Sequence, residues 1–409
     1  MKNMVFREIE GKSVGYYVLL AGLALFTLLG LLAAHYMETN GHHVTGMTNQ
    51  VVWGLPHVFA VFLIVAASGA LNVASIGSVF GKSMYKPLAP LSGVLSVALL
   101  AGGLTVLMLD LGRADRVIVA MTHYNFRSVF AWNVFLYSGF VGLVAIYLWT
   151  QMEQRMKPYT KAAGVAAFIW RLLLTTGTGS IFGFLVARAL YDSALFAPMF
   201  IIMSFSYGLA IYILVLMAAY GWTGRPLGDG VLLRLKGLLA VFVAAVLYFV
   251  AVYHMTNLYY AEHRAAEHFI LVDGGVNTQV FWIGQILLGS VLPLVILFHP
   301  SAGKSRRSIA LASVLVILGG LAQMYVTIVG GQAWPLDLFP GMQQSSSFYD
   351  GVIHSYHASV PEVFLGLGGV AIAGLIVVFA IKVLRLLPDS LGDDVVDVHH
   401  GAKAVAKPA

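Results

Sequence analysis

Apolar and polar positions are segregated along the chain into ten long apolar stretches separated by short polar segments. Each stretch has about 20 residues or more, the length at which an α-helix crosses roughly 30 Å of hydrocarbon. The pattern therefore predicts an all-α, polytopic membrane protein with ten transmembrane helices. These helices, α1 to α10, are predicted at 14–36, 51–75, 88–112, 128–150, 163–187, 195–221, 232–258, 278–299, 309–330 and 358–385.

Composition agrees with a membrane protein and excludes several other classes. Hydrophobic residues make up 59% of the 409 residues, charged residues only 10%, and the mean hydropathy is +0.84, whereas a soluble protein of this length needs more surface charge. The pI near 9.3 does not indicate nucleic-acid binding, because the basic residues lie in short loops between apolar stretches. The chain has no cysteine, which excludes disulfides, thiolate chemistry and a cysteine-ligated iron–sulfur cluster of its own.

Basic residues predict the orientation. With the N terminus placed inside, eighteen of the 24 lysines and arginines lie in inner loops and terminal segments, five lie on the outer face, and Arg171 lies within α5. Cytoplasmic loops carry such an excess of positive charge. The predicted topology is N-in/C-in.

A faint internal repeat predicts the arrangement of the helices. The sequence of 128–149 resembles that of 278–299, so α2–α5 and α6–α9 are expected to form two four-helix bundles of the same orientation, flanked by α1 and α10. The predicted divisions are an N-terminal segment with α1 (1–50), the first bundle (51–190), the second bundle (191–330), an outer loop with α10 (331–387) and a disordered cytoplasmic tail (388–409).

Ionisable residues gather at the outer ends of the helices. His57 lies about six residues into predicted α2, about 9 Å along its axis, next to Pro56, which within a helix frees a carbonyl and permits a kink. An ionisable side chain in a span usually faces a cavity or a partner, although a neutral histidine bonded to a carbonyl remains the alternative. Asp110 ends α3, where the helix dipole disfavours a carboxylate, so Arg113 or Arg116 is expected to pair with it.

The second bundle offers weaker candidates. His254 lies near the outer end of α7 with Asn257 one turn on, and a structural role at the interface is the alternative for His254. Glu362 lies in the first turn of α10, where capping is the alternative. The histidines of HRAAEH (263–268) are not spaced one turn apart as in a zinc helix, and no metal site is predicted.

A row of polar residues inside α5, beginning at Arg171, has two interpretations. Arg171 can extend its charge to the inner surface, or it begins a proton path with Thr175 and Thr178. Arg171 and the repeat also permit a transporter of a small anion, although no span shows paired, broken midplane helices. A b-type cytochrome with one haem is a further alternative, because His57 and His254 are expected at similar depth.

Five motifs together resemble the NrfD/polysulfide-reductase membrane-subunit family. They are WGLPH (53–57), LDLGRADR (109–116), NFRSVFAWNVF (125–135), VGGQAWPL (329–336) and SYHASVPEVFLGLGG (355–369), and the resemblance covers α2–α10. The ten-helix length is most like the DsrP branch, whose members belong to complexes of sulfur and sulfite metabolism; the Hmc/Tmc membrane subunits and the alternative complex III subunits are close alternatives.

The resemblance implies a quinone-binding subunit of a respiratory redox complex in the bacterial inner membrane. Such a subunit binds menaquinone or ubiquinone near the outer face and carries no haem or iron–sulfur cluster of its own. Its partners would be a ferredoxin-like iron–sulfur subunit on the outer face, a cytochrome and further membrane subunits. The positions that match the family's quinone pocket are His57, Asp110, Arg113, Arg116, Trp132 and Asn133.

These residues suggest a division of roles. Histidine titrates near neutral pH, so His57 is expected to bond a quinone oxygen, with Asp110 orienting it or relaying protons. Arg113 and Arg116 would keep Asp110 ionised, and Trp132 would pack against the ring. The loop 331–357, with Gln332, is expected to meet the partner subunit.

Overall fold

The computed structural model describes residues 4–336 and 351–396, and it is nearly all helical. Within those residues ten helices are long and apolar enough to span a membrane, which confirms the predicted fold class and number of spans. They are α1 (Val14–Asn40), α2 (Leu55–Ser78), α3 (Ser83–Leu109), α4 (Val129–Met152), α5 (Gln154–Gly183), α6 (Phe196–Thr223), α7 (Asp229–Tyr259), α8 (Val276–Phe298), α9 (Arg306–Ala333) and α10 (Val360–Val383).

Several helices change geometry along their length. α2 is interrupted at Leu71, and α3 and α5 begin with 3₁₀ turns at Ser83–Leu88 and Gln154–Tyr159. Three segments are π-helical: Phe269–Asp273, Val280–Val291 within α8, and Val326–Gly330 within α9. Shorter helical segments lie at His42–Val44, Ala114–Arg116, Val117–Thr122, Arg264–His268 and Ala302–Lys304.

The start of α2 differs from the prediction. The helix begins at Leu55 rather than at residue 51, with Gly54 as its N-cap. Pro56 therefore occupies the first turn, where its missing N–H leaves no helical bond unmade, and the expected kink does not arise there. His57 consequently lies in the first turn of the helix instead of six residues inside it.

The helices contact one another both within α2–α5 and α6–α9 and between these two sets. α2 and α4 each contact α3 and α5, and α6 and α8 each contact α7 and α9. We refer to α2–α5 as the first bundle and α6–α9 as the second. α6 also packs against α2 and α5. α10 packs against α2 and α3, and α1 packs against α10.

The two bundles meet where α2 crosses α6 at glycines. A Cβ on Gly69 would lie 1.5 Å from the Ser204 carbonyl oxygen, and a Cβ on Gly208 would lie 2.1 Å from the Ala70 nitrogen. Small residues at such a crossing let backbones approach closely, which is the main source of helix attraction inside a bilayer. These glycines therefore set the spacing between the bundles.

The two ends of the chain lie together on one side. Strand β1 (Phe6–Arg7) pairs antiparallel with strand β2 (Leu387–Pro388), and Leu391 in the following segment is fully buried. The prediction of a disordered tail is therefore wrong for 388–396, because buried apolar side chains fix this segment; residues 397–409 lie outside the described residues. Which side is cytoplasmic stays a prediction from the basic residues.

Candidate functional site

A histidine and a carboxylate meet at the predicted outer end of the first bundle. His57 lies in the first turn of α2, and Asp110 is the C-cap of α3, which packs against α2. The Nδ1 of His57 is 2.7 Å from the Oδ2 of Asp110. The Asp110 side chain is wholly buried and the His57 side chain is 14% exposed. The structure thus brings together the two residues that the sequence singled out first.

The hydrogen bonding of this pair is incomplete. The two atoms are close, but the contact lacks the alignment of a hydrogen bond, and neither Asp110 oxygen has a donor among the described residues. The Nδ1 of His57 is likewise without an acceptor there. A buried carboxylate oxygen without a donor costs free energy. The pair is therefore suited to a further polar group that donates to it.

Aromatic side chains line the pair. The Trp53 ring stacks on His57, with centroids 6.0 Å apart and an interplanar angle of 23°, and Phe182 and Tyr191 lie against Trp53. Trp132, expected at this position, is instead 40% exposed and donates its indole N–H to the Phe126 carbonyl at 2.7 Å. Trp53 is therefore the tryptophan that packs against His57, whereas contact of Trp132 with a quinone ring stays a prediction.

The expected partners of Asp110 also differ. Arg113 makes a two-point pair with Asp115, with both N–O distances 3.0 Å, and the Arg113 guanidinium lowers the pKa of the exposed Asp115 carboxyl. Arg116 is exposed and makes no ion pair with any residue in the described ranges. Gly112, at a positive φ of 66°, turns the chain away after Asp110. The expectation that these arginines keep Asp110 ionised is therefore wrong.

Asn133 joins two helices of the first bundle. Its amide donates to the Val129 carbonyl at 2.9 Å and to the Gly177 carbonyl at 3.3 Å, and Thr178 donates to its Oδ1 at 3.4 Å. Asn133 is buried, and its hydrogen bonds link α4 to α5 rather than reaching His57 or Asp110. Its observed role is to hold these helices together.

The segment before α2 is held by a glutamine that the sequence did not assign to the site. The Oε1 of Gln332 accepts from the N–H of Val52 at 3.0 Å and of Trp53 at 3.1 Å, and its Nε2 donates to the Trp53 carbonyl at 3.0 Å. Arg188 adds contacts to the carbonyls of Gln332 and Gln50. Gln332 is 1% exposed, so the prediction that it meets a partner subunit is wrong. It positions Trp53 instead.

Glu362 supports the same region. It forms a capping box with Ser359 at the start of α10, accepts from the Gly46 N–H at 2.9 Å, and accepts from the Tyr356 hydroxyl at 2.6 Å. Burial and the nearby Glu362 carboxylate raise the pKa of Tyr356, so this phenol stays protonated and donates. Tyr356 in turn accepts from the Leu55 N–H at 2.7 Å. Glu362 therefore belongs with the start of α2 and not with the second bundle.

The second bundle contains its own histidine–carboxylate pair. The Nδ1 of His254 is in close contact with the Oε1 of Glu267, and Asn257 donates to the Oε2 of Glu267 at 3.2 Å. Glu267 is fully buried. Sequence reasoning did not assign Glu267 to a site, because a carboxylate in a short polar segment between two spans is ordinarily solvated.

Arg171 is buried where α2, α5 and α6 meet. Its guanidinium donates to the Oδ1 of Asn72 at 2.9 Å, just beyond the interruption of α2, and stacks between the rings of Phe168 and Phe205. Its side chain has no exposure, so it does not reach the inner surface. The arginine bridges the interrupted α2 to the neighbouring helices.

The threonines of α5 do not extend a path from Arg171. Thr175 donates to the Arg171 carbonyl at 2.9 Å, and Thr178 donates to the Leu174 carbonyl at 2.9 Å. Each hydroxyl thus donates to a backbone carbonyl one turn earlier in its own helix. The predicted file Arg171–Thr175–Thr178 is not a chain of side-chain hydrogen bonds.

His57 and His254 lie in different bundles, and the Nδ1 of each contacts a carboxylate there, Asp110 for His57 and Glu267 for His254. An imidazole whose Nδ1 contacts a carboxylate can still bind iron through its Nε2. A b-type cytochrome with one haem therefore stays an alternative.

Known proteins match this chain over most of its length. Residues 43–335, which hold both histidine–carboxylate pairs, match the family described as polysulphide reductase, NrfD. The chain is 30% identical over 394 residues to the Hdr-like menaquinol oxidoreductase integral membrane subunit of Archaeoglobus fulgidus, covering 96% of this chain and 99% of the relative. It is 24% identical over 313 residues to the C component of polysulfide reductase from Wolinella succinogenes, covering 70% of this chain and 96% of the relative.

A further relative is the C component of selenate reductase from Mesobacillus selenatarsenatis, 22% identical over 404 residues, covering 90% of this chain and 92% of the relative. The ten apolar spans agree with an integral, multi-pass membrane protein. The family match covers more than half of the chain and confirms the resemblance carried by the sequence motifs. This chain belongs to the NrfD family of polysulphide reductase membrane subunits.

Proposed function

We propose that this chain is the quinone-binding membrane subunit of a multisubunit oxidoreductase. It exchanges electrons between membrane quinone or quinol and an iron–sulfur subunit docked on the outer face. The names of two relatives, a menaquinol oxidoreductase subunit and a polysulfide reductase component, support this class. The Archaeoglobus relative favours menaquinone over ubiquinone.

The observation that carries the proposal is the His57–Asp110 pair. The pair lies in a largely buried position at the first turn of α2, the Oδ1 of Asp110 has no donor among the described residues, and the Trp53 ring stacks on His57. A quinol hydroxyl would supply the missing donor, and an aromatic wall would pack against a flat ring. The residues present therefore fit a quinone head group.

Proton transfer is the chemistry that this chain would supply. Oxidation of a quinol releases two electrons and two protons, and reduction of a quinone takes up the same number; the electrons pass to or from the partner's cluster. The Nε2 of His57 has no hydrogen-bond partner in the described ranges, so it is the atom placed to accept or donate a proton. Asp110 stabilises the imidazolium that forms.

The chain's partners would define the complex to which it belongs. We infer a place in sulfur metabolism, in a complex like that of the DsrP branch, with a cytochrome and further membrane subunits as partners in a bacterial inner membrane. The ten-helix length and the polysulfide reductase relative support this assignment. Affinity purification of the chain in mild detergent tests it: iron–sulfur and cytochrome subunits should co-purify, and a homo-oligomer alone would contradict it.

Substitution of the pair tests the quinone site. His57→Leu and Asp110→Asn should each lower quinol-linked electron transfer of the membrane complex by at least about 100-fold, the usual scale for loss of an acid–base group. His123→Leu and Asp273→Asn make the same changes at exposed residues and should leave the rate unchanged. Assembly of the complex is checked by co-purification of its subunits. Wild-type rates in both site variants would refute the assignment.

A further inference from the structure

We propose that the second bundle contains a hydrated proton-exchange site. In this site His254, which contacts Glu267, borders a water-filled cavity, and protons exchange with the outer surface through water molecules bound along Asn257, His263 and Asp192. This inference concerns water and protons, and it does not depend on quinone binding in the first bundle.

The cavity lies inside the second bundle. It is bordered by apolar side chains and by His254, Gln285, Gln323 and Thr327, and its volume is ≈ 30 Å³. That space holds about two water molecules. Water is therefore the occupant that fits.

An unpartnered amide oxygen borders this cavity. Gln285 is 5% exposed, and its Oε1 has no hydrogen-bond donor among the described residues. Gln323 is already engaged, because its Oε1 accepts from the Tyr207 hydroxyl at 2.5 Å. A buried carbonyl oxygen without a donor is the usual place of an internal water. Gln285 thus indicates where a water binds.

Helix geometry singles out the same place. The described chain has three π-helical segments, and each contributes to the cavity lining: Ile270 from the first, Gln285 from the second and Thr327 from the third. π-Helical turns are rare and occur frequently at functional sites. Their convergence distinguishes this cavity from an ordinary packing defect.

Polar groups lead from the pair to the surface. The Oε2 of Glu267 is 3.2 Å from the Nδ2 of Asn257, and the Oδ1 of Asn257 is 3.4 Å from the Nδ1 of His263. The Nε2 of His263 is 3.8 Å from the Oδ2 of Asp192, whose side chain is 37% exposed. Water can complete the longer steps. The series gives the buried carboxylate a route to solvent.

Radiolytic labelling of the purified chain in isotope-labelled water tests the hydration. Met199 borders the cavity at 3% exposure, so it should be oxidised readily, whereas Met37, 1% exposed in a dry apolar cluster, should not. Gln285→Leu removes the amide oxygen and should reduce Met199 labelling to the Met37 level. Gln279→Leu, on the exposed face of the same helix, should leave it unchanged.

Exchange of the histidine C2 proton with deuterium, followed by mass spectrometry, tests the route. His254 should exchange measurably although its side chain is 13% exposed. Asn257→Leu should slow this exchange by at least about 10-fold, as expected when solvent contact requires local opening. The exposed neighbour Thr256→Leu should not slow it, and His268 serves as an exposed internal standard.

Any one of several results would overturn the proposal. These are an unlabelled Met199, Met199 labelling that survives Gln285→Leu, a His254 that does not exchange, and exchange that is unaffected by Asn257→Leu. Labelling of the cavity by a photoreactive quinone would also overturn it, because it would show a different occupant. None of the hydration and exchange measurements uses quinol, so their failure is separable from failure of the proposed function.

Discussion

Replacement of Gln332 by leucine should release the segment that carries Trp53. The side chain of Gln332 makes three hydrogen bonds to the backbone of Val52 and Trp53, at 3.0, 3.1 and 3.0 Å. Each buried hydrogen bond contributes a net ~0.5–1.5 kcal/mol, so the leucine variant loses about 2–4 kcal/mol of local stability. The loss is expected at this segment because all three of these hydrogen bonds go to the backbone of Val52 and Trp53.

Amide hydrogen exchange of the peptide 51–57 is the assay. A local loss of about 2–4 kcal/mol corresponds to exchange that is about 30- to 800-fold faster at Val52 and Trp53, since about 1.4 kcal/mol is a factor of ten. Quinol-linked activity should fall in parallel, because Trp53 forms the wall against His57. Gln279→Leu makes the same substitution at an exposed position and serves as the control. Unchanged exchange at Val52 and Trp53 would refute the reasoning.

Two further substitutions test the role of Trp53 at the site and the close packing of α2 against α6. Trp53→Leu should raise the quinol KM about 2- to 12-fold, the equivalent of ~0.5–1.5 kcal/mol of aromatic contact, whereas Trp132→Leu should have little effect; equal effects in steady-state kinetics would contradict the placement of Trp53. Gly208→Leu should lower the melting temperature of the purified chain through a loss of ~1–3 kcal/mol, because its Cβ would lie 2.1 Å from the Ala70 nitrogen. Gly221→Leu, with open space around it on the same helix, should not, and equal melting temperatures would show that the α2–α6 crossing tolerates side chains.

Hydropathy and the order of the spans were enough to predict that His57 and Asp110, which lie at helix ends, share one side of the membrane. α2 and α3 are consecutive spans, so the start of one and the end of the next lie on the same side of the membrane. That relation alone placed His57 and Asp110 at a common depth, and the structure shows them in contact. The number of spans was also predictable from the sequence. Each apolar stretch must form a helix, because its backbone groups find no hydrogen-bond partners in lipid.

The surroundings of the pair depend on contacts that no local pattern encodes. The extended segment before α2 is fixed by Gln332 and by the Tyr356–Glu362 pair, both distant in sequence, so its hydropathy made it look like part of the helix. Arg113 was predicted to pair with Asp110 from spacing, but the turn at Gly112 brings it to Asp115.

The role of Glu267 in the second bundle likewise depends on contacts that are distant in the structure's helices and not visible in the local sequence. An acid in a short segment between two spans is usually solvated, and nothing in its own neighbourhood says that the segment folds back into the bundle. Its burial becomes apparent only with His254 and Asn257, which approach it from α7. Residues that act through partners on other helices are therefore the ones that sequence patterns find least readily.

Photoaffinity labelling with an azido-menaquinone tests the central assignment most directly. The purified complex is irradiated with the probe, and labelled peptides are identified by mass spectrometry. We expect label on the peptide 51–60 and on the end of α3 next to Asp110, with both lost in His57→Leu and retained in His123→Leu. Label confined to other helices, or label at these peptides that persists in both His57→Leu and Asp110→Asn, would contradict a quinone site at the His57–Asp110 pair.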